Sequence, residues 1–466
     1  MNRISQSVMR AWIGLGTRFL PFADAATPDL PLSRLLRLSL FQVSVGMSLV
    51  LLVGTLNRVM IVELGVPASL VAVMLALPLV FAPFRALIGF KSDNHRSELG
   101  WKRVPYIYKG TMVQFGGLAI MPFALLVLSG GGNAANAPAW IGQASAGIAF
   151  LLVGAGIHIT QTAGLALATD LAPAESQPKV VGLMYVALLF GSIVSALIFG
   201  WALTDFTPGR LIQVIQASAV ATLVLNGVAV WKQEARGQAR LRQGGAADPS
   251  FRESWDCFIS GSQALRRLVA VGLGTLAFSM QDVMLEPYGG QILGLDVSDT
   301  TKLTAAMAGG GLVGFWLASQ VLSRGADPFR MASYGALVGV PAFLMVIAAG
   351  PLNAPLLFGL GTLLVGFGAG LFGHGTLTAT MNFAPPDQRG LALGAWGAVQ
   401  ATAAGIGVAL GGIVRDLLLA ATNATSPEMM PYVAVYVIEI VLLLTAIVVM
   451  LQLVRRPAIL AKEHMG

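Results

Sequence analysis

Twelve apolar runs alternate with short polar segments along this chain of 466 residues. They begin near residues 38, 68, 104, 139, 180, 210, 266, 300, 331, 355, 391 and 432, and each supplies the roughly 20 residues that cross a bilayer as a helix. The pattern predicts an all-α integral membrane protein with 12 transmembrane helices. Its longest polar interruption, 232–265, is rich in Arg, Gln, Gly and Ala and splits the runs six and six. The expected organisation is an N-terminal segment 1–37, a six-helix bundle 38–231, a central loop 232–265, a second bundle 266–454 and a tail 455–466. Within the first segment Ile4, Val8, Trp12, Leu15 and Phe19 recur every three or four residues, with Arg3 and Arg10 on the other side, which predicts an interfacial amphipathic helix.

The two halves read as parallel repeats. Asn57-Arg58-Val59-Met60 in the first span matches Gln281-Asp282-Val283-Met284 in the seventh, an amide, a charge, then Val-Met. The fourth span ends Ala168-Thr169-Asp170-Leu171-Ala172-Pro173 and the tenth Thr380-Met381-Asn382-Phe383-Ala384-Pro385. The 55 glycines suit a membrane bundle, where small residues let helix backbones approach; Gly310/Gly314 and Gly407/Gly411 carry that spacing and predict close packing.

Composition agrees. Hydrophobic residues make up 56% and charged residues 11% of the chain, and the mean hydropathy is +0.75, values that exclude an ordinary soluble domain. The first 37 residues contain Pro21, Pro28 and Pro31 and no uninterrupted apolar core, so no cleaved signal peptide is expected. Of 29 Lys and Arg, 23 fall in segments that a cytoplasmic amino terminus would make cytoplasmic, while Arg210, Lys302 and Arg415 fall on the opposite side. Both termini are therefore expected in the cytoplasm, and the +7 net charge is a topology signal that also draws anionic lipid, not a sign of nucleic acid. The single cysteine, Cys257, excludes an internal disulfide.

Polar residues inside spans carry the candidate chemistry: Arg58, His158, Gln161, Gln281, Asp282, Glu286 and His374. An acid near mid-bilayer costs about 2.5–3.5 kcal/mol on the lenient insertion scale, so it faces a partner or a polar cavity. Arg58 and Asp282 are repeat-equivalent, and Arg58 is expected to pair with Asp282 or Glu286 across the halves. Such a seam reads either as a static clamp or as a proton-coupled site. Aligning the repeats through their Ala-Pro ends puts His374 opposite Thr162, one helical turn from His158. The two histidines read either as hydrogen-bonded intramembrane residues or as metal ligands. Arg85 and Lys109 are expected to snorkel. With no Cys pair, no His-Glu-x-x-His and no phosphate-binding loop, no enzyme is expected.

Between spans 2 and 3, Gly89-Phe90-Lys91-Ser92-Asp93-Asn94-His95-Arg96 and Gly100-Trp101-Lys102-Arg103 resemble the cytoplasmic loop signature of the major facilitator superfamily. That resemblance implies a latch between the halves made by Gly89, Asp93, Arg96, Gly100, Lys102 and Arg103, though the stretch from Asp93 to Gly100 is longer than usual. It also implies a central cavity lined by helices 1, 4, 7 and 10, the helices that hold the intramembrane polar residues. Leu56 to Pro67, Ala82-Pro83-Phe84-Arg85-Ala86-Leu87-Ile88-Gly89 and Gln281 to Gly290 are similar to the PucC/LhaA family from about residue 32 to 455. That resemblance, nearer the core-antenna member LhaA, implies a light-harvesting complex assembly factor in the inner, photosynthetic membrane of purple bacteria. Implied partners are antenna α/β polypeptides, bacteriochlorophyll synthesis or membrane insertion machinery, and membrane lipids. The implied cofactor is bacteriochlorophyll, with His158, His374 and Gln161 as binding residues and magnesium held by either histidine. A proton-coupled secondary transporter is the alternative that the fold allows.

Overall fold

The structure, a computed structural model, describes residues 26–27, 30–80, 88, 92, 101–130, 137–173, 176–234, 263–383, 389–422 and 429–454. The expected amphipathic segment, Arg85, Cys257, most of the central loop and the loop residues Gly89, Asp93, Arg96 and Gly100 lie outside these residues.

The described chain is helical throughout. Its helices are α1 (Leu32–Glu63), α2 (Ala68–Val80), α3 (Val104–Leu128), α4 (Ala139–Leu171), α5 (Gln177–Ala202) and α6 (Pro208–Val230) in the first half. The second half holds α7 (Ala264–Gln291), α8 (Val297–Ser323), α9 (Pro328–Ala349), α10 (Pro355–Phe383), α11 (Arg389–Thr422) and α12 (Met429–Leu451). Eleven of the 12 expected spans are each long and apolar enough to cross a membrane, while the apolar part of α2 within the described residues, Ala68–Leu79, is shorter. This is a multi-pass membrane protein. Side-chain caps begin three of the helices: Thr207, Asp296 and Asp327 accept from the backbone N–H three residues on.

The starts of α1 and α3 share one face with the ends of α4 and α6, called here the terminal face; the ends of α1, α7 and α11 mark the far face. Across the halves α2 packs on α11 and α5 on α8, the pairing that a twofold relation between parallel repeats requires. Glycines make the close approaches. A Cβ at Gly310 or Gly314 would collide with the Leu363 or Phe367 carbonyl of α10, and one at Gly407 would lie 2.7 Å from the Leu276 carbonyl of α7. Between the halves, a Cβ on Gly412 would sit 2.5 Å from Ala72 Cβ. The small-residue spacing read from the sequence is thus a packing device.

Candidate functional site

The repeat-equivalent motifs both fall where a helix departs from α geometry. In α1 the stretch around Arg58 is underwound into wide turns: the N–H of Asn57 bonds to the Leu52 carbonyl and that of Leu64 to Val59, each five residues back. In α7 the chain tightens instead, with a 3₁₀ turn at Gln281–Val283 closed by Met284 N–H to the Gln281 carbonyl at 2.9 Å. Such irregular turns recur at functional sites.

The expected ion pair between Arg58 and Asp282 or Glu286 is not formed. Arg58, 4% exposed, pairs with Glu63 of its own helix and donates through Nη2 to the Leu295 carbonyl of the other half at 3.0 Å. The wide turns explain this. Residues five apart on an α-helix point about 140° away from each other, whereas i→i+5 bonding brings them to one face. Gly290 leaves room for the guanidinium, since a Cβ there would lie 3.2 Å from Arg58 Nε and Nη2. The acids satisfy themselves within their own half. Asp282 Oδ1 accepts from Gln281 Nε2 at 2.5 Å, and Glu286 Oε1 accepts from Thr304 Oγ1 of α8 at 2.9 Å.

A polar seam does join the halves, through the Thr55 and Thr301 hydroxyls at 3.4 Å and otherwise through bonds in which one partner is a backbone group. Asn57 Nδ2 donates to the Asp282 carbonyl at 3.2 Å, Ser298 Oγ to the Gly200 carbonyl at 2.6 Å, and Ser69 N–H, at the start of α2, to Asp416 Oδ2 at 2.7 Å. Asp416 is held by Arg415 at 2.8 Å, whose Nη2 donates to Gln291 Oε1 at 2.9 Å; the Tyr432 hydroxyl donates to the same oxygen at 2.6 Å. All of these contacts lie toward the far face, so among the described residues the halves are sealed there. The sequence reading missed Arg415 and Asp416 as seam residues and missed Glu439, fully buried on α12 near Asp282 and the Gln281 backbone. Glu439 had a signal, being the one acid in an otherwise apolar span.

On the terminal side of this seal lies a cavity of about 460 Å³ between the halves. Its deep end carries Gln281 and Asp282; Phe278, Phe315, Phe372, Trp396 and Tyr185 wall it, with Gln400 toward the terminal face. The lining comes from α1, α5, α7, α8, α10 and α11, which corrects the expected set: α4 contributes none of it and Arg58 lies outside it. The cavity-facing stripe of α10, Gly366, Ala369, Gly370, Gly373 and Leu377, passes His374 by one residue, and the His374 ring packs on Phe315 with centroids 4.3 Å apart. His158 is buried on α4, away from the lining. Gln161 donates to Gln42 of α1 at 3.2 Å and ties α4 to α1.

At the terminal face, the backbone N–H groups of Lys102, Arg103 and Val104 all donate to the carboxylate of Glu234, which follows α6 and caps α3. The Arg103 side chain donates to Asp170 at 2.9 Å and to Ser92 at 2.5 Å. The described part of the expected inter-half latch therefore ties α3, α4 and α6 within one half. Lys109, exposed on α3, lies 5.6 Å from the Tyr106 ring, as a snorkelling lysine would.

Two six-helix halves that, among the described residues, meet at the far face and line a cavity on its terminal side have the fold of the major facilitator superfamily. The crystal structure of a mutant of the nucleoside transporter NupG matches with a TM-score of 0.65 at 13% identity, covering 90% of this chain and 99% of that one. The sequence narrows the class: residues 55–458 match the family described as PUCC protein, and the chain belongs to that family. Protein PucC of Rhodovulum sulfidophilum is 63% identical over 434 residues, 93% of this chain and 96% of that protein. Protein PucC of Cereibacter sphaeroides is 58% identical over 456 residues, 98% of each.

Proposed function

We propose that this protein assists the formation of bacterial light-harvesting complexes and holds bacteriochlorophyll in its central cavity while antenna α/β polypeptides are assembled beside it in the photosynthetic inner membrane. The cavity carries this reading. Its wall is mostly aromatic and aliphatic with a few oxygen-bearing groups, the lining a tetrapyrrole ring would need.

The residues present suit the pigment. A flat macrocycle packs well on Phe278, Phe315, Phe372 and Trp396, and magnesium, which the pigment brings with it, favours oxygen ligands of the kind that Gln281, Asp282 and Gln400 offer at the lining. Because His158 and His374 are set off from that lining, these oxygens are the better candidates for the metal. Binding and release suffice, and no catalytic step is invoked. The positive-inside distribution supports a cytoplasmic terminal face, so that the cavity would receive pigment from the cytoplasmic side.

Purification from pigmented cells, followed by near-infrared absorption, tests the proposal. A bacteriochlorophyll band is expected that survives His158→Ala and His374→Ala and weakens in Gln400→Ala and Trp396→Ala. A protein purified without pigment, from a strain whose antenna levels do not change on deletion, would sink it. The resemblance to LhaA favours the core antenna as client, whereas the relatives at 58–63% identity bear the name PucC. The antenna polypeptide that co-purifies decides between core and peripheral complexes.

A second reading, proton-coupled secondary transport through Asp282 and Glu286, is favoured by the likeness to NupG and by two intramembrane acids, one lining the cavity and one buried behind it. Uptake by proteoliposomes that responds to a pH gradient would support it, and stable pigment with co-purifying antenna subunits would count against it.

A further inference from the structure

A second hollow lies outside the central cavity and outside the polar seam between the halves. It is a groove of about 820 Å³ between α5 and α6 on the outer surface of the first half, running from Arg210 at the far face down to Ala221. Eleven residues of helix rise about 16 Å, close to half of the ~30 Å hydrocarbon core, so the groove is as long as one leaflet is deep. Its floor is apolar or small, with Met47, Phe199, Val214 and Ala217, and Trp201 stands at its rim 77% exposed, at the level where interfacial tryptophans sit.

The mouth is charged, and its charges are balanced. Arg210 Nη1 donates to the Asp205 carbonyl at 3.1 Å and to Asp205 Oδ2 at 3.0 Å. Both side chains are well exposed, 45% and 83%. A guanidinium has five N–H donors, so Arg210 keeps several for another acceptor, and Asp205 keeps Oδ1. Nearby, Lys302 lies along Gly200 and is matched by Asp299 at 3.0 Å, and Asp296 caps α8, so no excess positive charge gathers at this end of α5. An anionic headgroup would find one cation already shared with a carboxylate.

We propose that this groove binds a single phospholipid with a phosphoethanolamine headgroup. One acyl chain lies along α6, the phosphate accepts from the free N–H groups of Arg210, and the primary ammonium donates to Asp205. The site is independent of the pigment proposal.

Trp201 provides the test. The full chain is reconstituted in phosphatidylcholine bilayers with increasing fractions of phosphatidylethanolamine, phosphatidylcholine or phosphatidylglycerol carrying brominated acyl chains, and the fluorescence lost is compared between wild type and Trp201→Phe. The expected result is that the Trp201 component is quenched by brominated phosphatidylethanolamine at roughly two- to fivefold lower fraction than by either other lipid, the scale of an exposed charged pair. Asp205→Asn, an exposed and shape-preserving change, should erase the preference over phosphatidylcholine; Arg210→Gln, which removes a phosphate contact that all three lipids share, should raise the fraction of each that is needed for quenching. Equal quenching by all three lipids would mean an ordinary annular lipid and overturn the proposal, as would stronger quenching by phosphatidylglycerol. No quenching of Trp201 by any lipid would also overturn it and would point to a protein occupant.

Discussion

Helices α1 and α7 are repeat equivalents that break α geometry at the same motif in opposite ways, and their charges have parted company as a result. The widened α1 brings Arg58 and Glu63 onto one face, so the cation is met locally and reaches across the halves only to a carbonyl. The tightened α7 turns Gln281 and Asp282 toward the central cavity, where Asp282 is held by its own neighbour, and leaves Glu286 to Thr304. One half has built a clamp and the other a cavity floor. A symmetric ancestor with an ion pair on the axis is an intuitive picture, but this molecule does not keep it.

The largest effect expected from breaking this arrangement is on stability. Arg58→Met strips Glu63 and the Leu295 carbonyl of their partner; a fully buried pair would lose about 3–5 kcal/mol, and the loss here should fall at or below the low end because Glu63 is 37% exposed. A lowered midpoint of thermal unfolding in detergent, partly restored by Arg58→Lys, checks it. A double-mutant cycle sharpens the contrast. Arg58 with Glu63 should couple by more than about 1 kcal/mol, and Arg58 with Asp282 by no more than about 0.5 kcal/mol. Equal couplings would return the ion pair to the inter-half axis.

On the α7 side, Glu286→Ala removes the acceptor of the Thr304 hydroxyl and should cost about 1–3 kcal/mol. Asp282→Asn keeps the shape, and its signature should be less pigment retained in the purified protein, with the unfolding midpoint little moved. Asp416→Ala deletes the cap on α2 and should lower stability by about 1 kcal/mol, read from the same melts. Asn57→Ala, at the smallest end, should cost about 0.5–1.5 kcal/mol, since it removes one neutral hydrogen bond to the Asp282 carbonyl.

Much of this was legible in advance because it depends on composition and spacing. Span starts read from apolar runs fall within about six residues of the observed helix starts, since a backbone in hydrocarbon must satisfy its polar groups within each helix. Gly310/Gly314 and Gly407/Gly411 were readable as packing because a missing Cβ has the same consequence in any helix pair. Glu439 was legible by the insertion-cost reasoning that singled out Asp282, applied to the last span. Arg58's partner was not. Its pairing with Glu63 needs turns wider than an α-helix, and helical periodicity assigns those two residues to different faces. The lining of the cavity by α5, α8 and α11 in place of α4 was also hidden, because apolar walls give no polar signal along the chain.

That this chain spans a membrane, that it folds as two parallel six-helix repeats and which family it resembles all follow from local hydrophobicity, internal similarity and motif. Which partner each intramembrane charge takes, where the halves seal and which residues face the cavity came from the packed helices. Those outcomes turn on helix rotation and on single irregular turns, and a rotation of one residue, about 100°, separates His374 from the lining stripe that contains Gly373.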